Sequence, residues 1–200
     1  MSQARGSNAV FIGGIKETTY ATTPGSPEGV VLPIITSSLS ATQGSSVSNV
    51  IRGRRDAVKP SRGNYDVAGS VVVPVDLAGI GYWLQKLMGD ASTTGSSPYS
   101  HVFTVGDTID SWVMEHGFSD VSQFELFNGC KVNSLAFSFD AGSDAELTVT
   151  AEVVGAKSTL STSPVDASPT ENTLSRLEIG DLSLTEGGSS IASVTAVDLR

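Results

Sequence analysis

"YDVAGSVVVPVDLAGIGYWLQKLMG", residues 65–89, carries a strand and a helix in succession, with Pro74 between them. Val67, Gly69, Val71 and Val73 recur at every second position, the period that places side chains on one face of a β-strand, with Val72 on the other. Pro74 has no N–H to donate and should end the regular pairing. From Asp76 the period changes. Leu77, Ile80, Leu84, Leu87 and Met88 form an apolar helical stripe, Asp76 is an N-cap type of residue, and Gly89 suits the position just past the helix. A helix is therefore expected over about 75–89. Gly79 and Gly81 weaken it, so it should depend on packing against a sheet.

Working outward, nearly everything else reads as strand and turn. Toward the C-terminus come "HVFTVG", "SWVMEHGF", "QFELFNGCKVNSLAFSFD" and "AELTVTAEVVGA". The third is expected to break at Asn128-Gly129, a tight-turn dipeptide, and the fourth alternates Leu147, Val149, Ala151 and Val153 with Thr148, Thr150, Glu152 and Val154. Toward the N-terminus, "AVFIGGIKETTY" offers Phe11, Ile12 and Ile15 as anchors of a short strand. Residues 30–42 read as another strand, with Pro33 at an edge or bulge. The segment 158–175 is linker-like. Gly129, Val132, Ser134 and Leu135 share their spacing with Gly188, Ile191, Ser193 and Val194, a hint of internal duplication. Together these features give a mostly β, antiparallel chain with a single packed helix.

The chain has 200 residues and a net charge of −9, unevenly placed. Residues 1–62 hold seven Lys or Arg against three acids; residues 63–200 hold five against eighteen. An acidic body repels phosphate, so whole-molecule nucleic-acid binding is disfavoured. No run of about eighteen apolar residues could span a membrane as a helix, and "MSQARGSNAVFIGG" lacks the pattern of a secretory signal. A single cysteine, Cys130, rules out an internal disulfide and suits a reducing compartment.

Catalytic chemistry is hard to find. His101 and His116, near Asp107, Glu115 and Asp120, lack metal-ligand spacing and read as surface or interface residues. Cys130 has only Lys131 nearby to activate it. "AGIGYW" falls inside a helical pattern and is not a phosphate loop, and "FDAGSDAEL" does not match a calcium loop. No enzyme, metal or cofactor is expected.

One motif stands out: "NVIRGRRDAVKPSRGN" gathers Arg52, Arg54, Arg55, Lys59 and Arg62 in an exposed loop or projecting hairpin over about 48–63. The cations could contact phosphate, although Tyr65 is the sole aromatic nearby. They could dock on acidic surfaces of other copies, where Arg pairs well with carboxylate. Or they could simply be solvated.

The order of "GNYDVAGSVVVPVD", the helix, "HVF" and "FNGCKVNSLAFSFDAG" resembles the tail tube proteins of long-tailed bacteriophages, over roughly residues 15–157. The resemblance implies a β-sandwich or barrel of the tail tube type over 1–157, followed by the linker. Residues 176–200 would then begin a second, related β-segment. It further implies a structural virion protein, assembled in the host cytoplasm. Copies would self-assemble into rings stacked around a tape measure protein, capped by a tail terminator and joined to distal tail or baseplate proteins, and the tube would pass DNA without binding it. Within that scheme the arm residues would lock copies or rings together. Glu125, Asp140, Asp144, Glu146 and Glu152 are candidates for an acidic lumen that repels the sliding duplex. Rival readings are a head–tail connector or terminator, and a nucleic-acid binder working through the arginines.

Overall fold

The computed structural model describes residues 4–51, 53–56, 59–140, 147–177, 185–186, 189–190 and 196–199. Strand β1 (Ala9–Lys16) is followed by β2 (Val30–Val31), β3 (Thr36–Ser37), β4 (Ser40–Ser46) and β5 (Ser61–Pro74). Helix α1 (Ile80–Met88) leads into β6 (Ser92–Thr94), β7 (Ser100–Val102) and β8 (Trp112–Phe118). Then come the long β9 (Gln123–Asp140), β10 (Thr148–Gly155), β11 (Lys157–Ser161) and β12 (Thr170–Glu171). Three short strands complete the order: β13 (Thr185–Glu186), β14 (Ser189–Ser190) and β15 (Ala196–Leu199).

Eleven of these strands join one continuous sheet that doubles back along β9. The first half of β9 pairs with β8 and β11, and β8 pairs in turn with β1 and β1 with β2. The second half pairs with β10 and β15, and β10 pairs with β5, whose other edge carries β3 and β4. The ladders are antiparallel except β12 beside β2. Phe11, Leu32, Met114 and Phe127 from the first half share one core with Val67, Val71, Val73, Val132, Leu135, Val149, Ala151 and Val153 from the second. The two halves thus face each other as a sandwich, with α1 packed beside them through Ile80, Trp83, Leu84 and Leu87. The alternation expected in β5 and β10 is present: Val67, Val71, Val73, Val149, Ala151 and Val153 are buried.

Several local expectations are corrected. The helix begins at Ile80, not near residue 75, because the Asp76 carboxylate is engaged elsewhere. It accepts from Ser175 N–H (2.6 Å) and Asn172 Nδ2 (2.9 Å), so Gly79 stands at the cap. Leu77 consequently lies outside the buried stripe, which Trp83 and Lys86 occupy instead. Gly89, at φ +103°, ends the helix as expected. Pro33 marks more than an edge: β2 just before it pairs in the first half-sheet, and β3 just after it pairs in the second.

Asn128-Gly129 is not a turn, since β9 runs straight through it. Gly129 takes φ +68°, and a Cβ there would sit 2.7 Å from Ala156, so the pair forms an irregularity that only glycine fits. Glu17 holds it. Its Oε1 accepts from Gly129 N–H (2.9 Å) and Asn128 Nδ2 (3.3 Å), and its Oε2 from Ala21 N–H (2.8 Å) and Ser111 Oγ (2.6 Å).

The segment 158–175 is no free linker either. It begins in β11, paired to β9, and then lies across the outer face of the first half-sheet, where Val165 packs on Ile12, Ile15 and Val113. Two carboxylates fasten it: Glu115 accepts from Val165 N–H (2.7 Å), and Asp166 accepts from Gly29 N–H (2.7 Å). The backbone donors lower the Asp166 pKa, whereas burial raises that of Glu115. Farther on, β15 adds to β9 beside Phe137–Asp140. The Gly188, Ile191, Ser193 and Val194 half of the suspected duplication lies outside the described residues.

Candidate assembly surfaces

The basic stretch tips a projecting hairpin. β4 and β5 pair from Ser40↔Ala68 out to Ser46↔Ser61, with an irregularity between Gln43 and Ser45 and a Gln43 Nε2 bond to the Gly63 carbonyl (3.0 Å). Residues 61–66 of β5 are all exposed, so the outer part of this ribbon leaves the sandwich. Arg54, Arg55, Lys59 and Arg62 are exposed on it, and Arg52 lies outside the described residues. The arm also carries exposed aliphatics that charge counting overlooks: Val47, Val50 and Ile51, the last 97% exposed.

A second surface is the outward face of the second half-sheet. Register places Glu152 between Ser70 and Ser134, Thr150 between Val72 and Ala136, and Thr148 between Pro74 and Ser138. Ala68 and Asp66 continue the row along β5. These side chains are small, apart from the acids, and they alternate with the buried set on the same strands. Among the lumen candidates, Glu152 lies on this face, Asp140 ends β9 in the same half-sheet, and Asp144 and Glu146 lie outside the described residues. Glu125 is set apart. It sits in the first half of β9 opposite His116 and accepts from Ser158 Oγ (2.7 Å). Asp66, which the sequence reading passed over, joins Glu152 on the outward face once the β5–β10 register is known.

The remaining reactive groups are held in structural settings. His116 is wedged between the rings of Phe11 (5.1 Å) and Phe127 (5.6 Å), and burial lowers its pKa. His101 is exposed, with Nδ1 2.8 Å from Thr93 Oγ1. Cys130 is fully buried and its thiol is pushed up to about 12, chiefly by burial, which favours the neutral thiol over the thiolate. Lys86 is also fully buried. Its Nζ donates to the Tyr82 carbonyl (3.2 Å) and lies over the rings of Trp112 (4.7 Å), Trp83 (5.4 Å) and Tyr82 (5.6 Å). Burial lowers its pKa to about 7. Among the described residues, no three His, Cys, Asp or Glu side chains gather as metal ligands.

A projecting arm and a sheet with one uncovered face are features of a protein that assembles. The family model described as "Phage tail tube protein" matches residues 7–200. The chain belongs to the phage tail tube protein family. This tail tube protein is thus a structural subunit of the virion tail. Its fold is similar to that of the tube-terminating cap of the anti-feeding prophage, with a TM-score of 0.51 and 9% identity, over 82% of this chain and 93% of the other. The SPP1 tail tube matches with a TM-score of 0.45 and 8% identity, covering 80% of this chain and 79% of that one. The sheath–tube complex of the extracellular contractile injection system PVC gives 0.45 and 10%, covering 75% and 86%. Among curated proteins, none matches this tail tube protein.

Proposed function

We propose that copies of this protein close into rings, that the rings stack into a tube, and that the outward face of β5, β10 and the second half of β9 lines the bore. The observation that carries this reading is that face: a row of mostly Ser, Thr, Ala and Val that carries Glu152 and Asp66, with Pro74 at one end and Lys131 opposite Val154 toward the other, on strands whose alternate residues form the core. Small side chains leave nothing for a passing duplex to catch on, and Glu152 and Asp66 repel its phosphates. Asp140, Asp144 and Glu146 belong to the same acidic lining in this proposal. The arm, through Arg52, Arg54, Arg55, Lys59 and Arg62, joins neighbouring copies or rings. The protein's work is structural, with no catalytic turnover. Its partners are further copies of itself, a tape measure protein inside the tube, and terminator and baseplate proteins at its ends.

Electron microscopy of the purified chain at high concentration tests this, beside a variant carrying Arg52→Ala, Arg54→Ala and Arg55→Ala. Stacked rings from the parent and single rings or free subunits from the variant are expected. Salt-sensitive DNA binding by the parent, lost in the variant, without rings from either, would instead make the arm a phosphate clamp.

A further inference from the structure

The exposed apolar side chains gather in two places. Of fourteen large hydrophobics that stand exposed among the described residues, Val47, Val50, Ile51 and Tyr65 belong to the arm and its base. Five more, Leu77, Tyr99, Val102, Val105 and Ile109, fall in the stretch of chain from just before α1 to the loop after β7, and of these Leu77 lines a groove. Scattered single residues would need no explanation; two concentrations do.

An open groove of about 500 Å³ runs between α1 and the β6–β7 hairpin, lined by Leu77, Ile80, Leu84, Ala91, His101 and Phe103. Gly81 deepens it, because nothing lies within 4 Å of where its Cβ would be. The charges complement those of the arm. From Leu87 to Cys130 the sequence has no Lys or Arg, while Asp90, Asp107 and Asp110 fall along it. Lys16, reaching from β1, bridges Asp90 (3.0 Å) and Asp110 (2.6 Å), so one cation is shared between two carboxylates. The arm has the opposite make-up: aliphatic residues flanked by Arg54, Arg55 and Lys59, with Asp56 the lone acid.

We propose that the groove between α1 and the β6–β7 hairpin receives the arm tip of a second copy. Val50 and Ile51 enter between Leu77, Leu84 and Phe103, and Arg54 and Arg55 lie beside Asp90 and Asp107. A tip and a socket on different surfaces of one chain make a head-to-tail contact, which repeats from copy to copy. Apolar insertion supplies the affinity and the charges set the register. This rests on the tube reading and names the surface that the arm engages.

Disulfide trapping tests it. Chains with Ile51→Cys and chains with Leu77→Cys, differently tagged, are mixed under assembly conditions with a mild oxidant. Both positions are exposed, so folding is preserved, and the native Cys130 is too buried to compete. The expected result is a mixed dimer at least tenfold above that obtained when Leu160→Cys, exposed on β11, replaces Leu77→Cys. Tubes without the mixed dimer overturn the socket and leave the tube reading standing. Mixed dimer without tubes supports the socket and counts against the tube. Absence of both overturns the two together.

Discussion

The first half-sheet is buried on both faces at its middle strand β8, whereas the second is buried on one. In β8, four consecutive residues, Trp112, Val113, Met114 and Glu115, are buried, because the core covers one side and residues 161–168 cover the other. In β10 burial alternates, and Thr148, Thr150, Glu152 and Val154 turn outward. A sheet closed on both sides has no face to offer a partner. A sheet with one bare face does, and that contrast is why the β5–β10–β9 face is the one proposed to line the bore.

Glu17→Ala should have the largest effect on the fold, since it takes the acceptor from Ala21 N–H, Ser111 Oγ and Gly129 N–H and leaves Asn128 Nδ2 with Thr23 Oγ1 alone, at the point where β9 passes from one half-sheet to the other. A loss of about 3 kcal/mol or more is expected. A urea midpoint close to that of the parent would mean that the β9 irregularity holds itself.

Neighbouring truncations test the contrast directly. Val113→Ala and Met114→Ala should both cost about 2–4 kcal/mol, one on each face of the first half-sheet. In β10, Val149→Ala should cost about 2 kcal/mol and Thr150→Ala less than about 0.5 kcal/mol. Equal losses at Val149 and Thr150 would mean that the outward face is covered.

Lys86→Met should be stabilising by about 1–3 kcal/mol at pH 6, because it removes a buried ammonium while keeping the volume. The pH dependence has a definite sign. Folding lowers the Lys86 pKa from 10.5 to about 7, so between those values the unfolded chain binds more protons and stability rises with pH. The advantage of Met is thus greatest below pH 7 and shrinks toward pH 10.5. A difference in urea midpoint that stays constant from pH 6 to pH 9 would rule out a buried charge as its cause. Smallest of all for the fold is Arg54→Ala with Arg55→Ala, expected within about 0.5 kcal/mol of the parent yet sufficient to abolish stacking. Stacking at parental yield would remove Arg54 and Arg55 from the assembly.

What the sequence revealed is what periodicity and composition encode locally. The Val67, Val71, Val73 row and the Leu147–Val153 alternation needed no tertiary knowledge, and the basic arm was visible as a charge anomaly. The misread positions share one cause: a partner far along the chain. Asp76 looks like a helix cap until Ser175 claims its carboxylate. Asn128-Gly129 looks like a turn until Glu17 ties it into an extended strand. Residues 158–175 look like a linker because each carboxylate that fastens them is paired with a backbone N–H far along the chain, which carries no sequence signature. On the candidate surface, Glu152 was readable from alternation, but grouping it with Asp66 rather than Glu125 required the register of three strands.

The arm is rooted in an unusual way for so long a projection. Its return strand, β5, runs fourteen residues without a break from the exposed ribbon into the middle of the second half-sheet, paired first to β4 and then to β10. At about 3.4 Å per residue that is a single strut of roughly 45 Å. Tension applied at the tip is therefore carried lengthwise, as shear shared among rungs that lie across the direction of pull, rather than as peeling that opens one rung at a time. In the proposed tube, such struts would resist stretching between copies, and the load would enter each subunit through the strand whose other residues are proposed to face the bore.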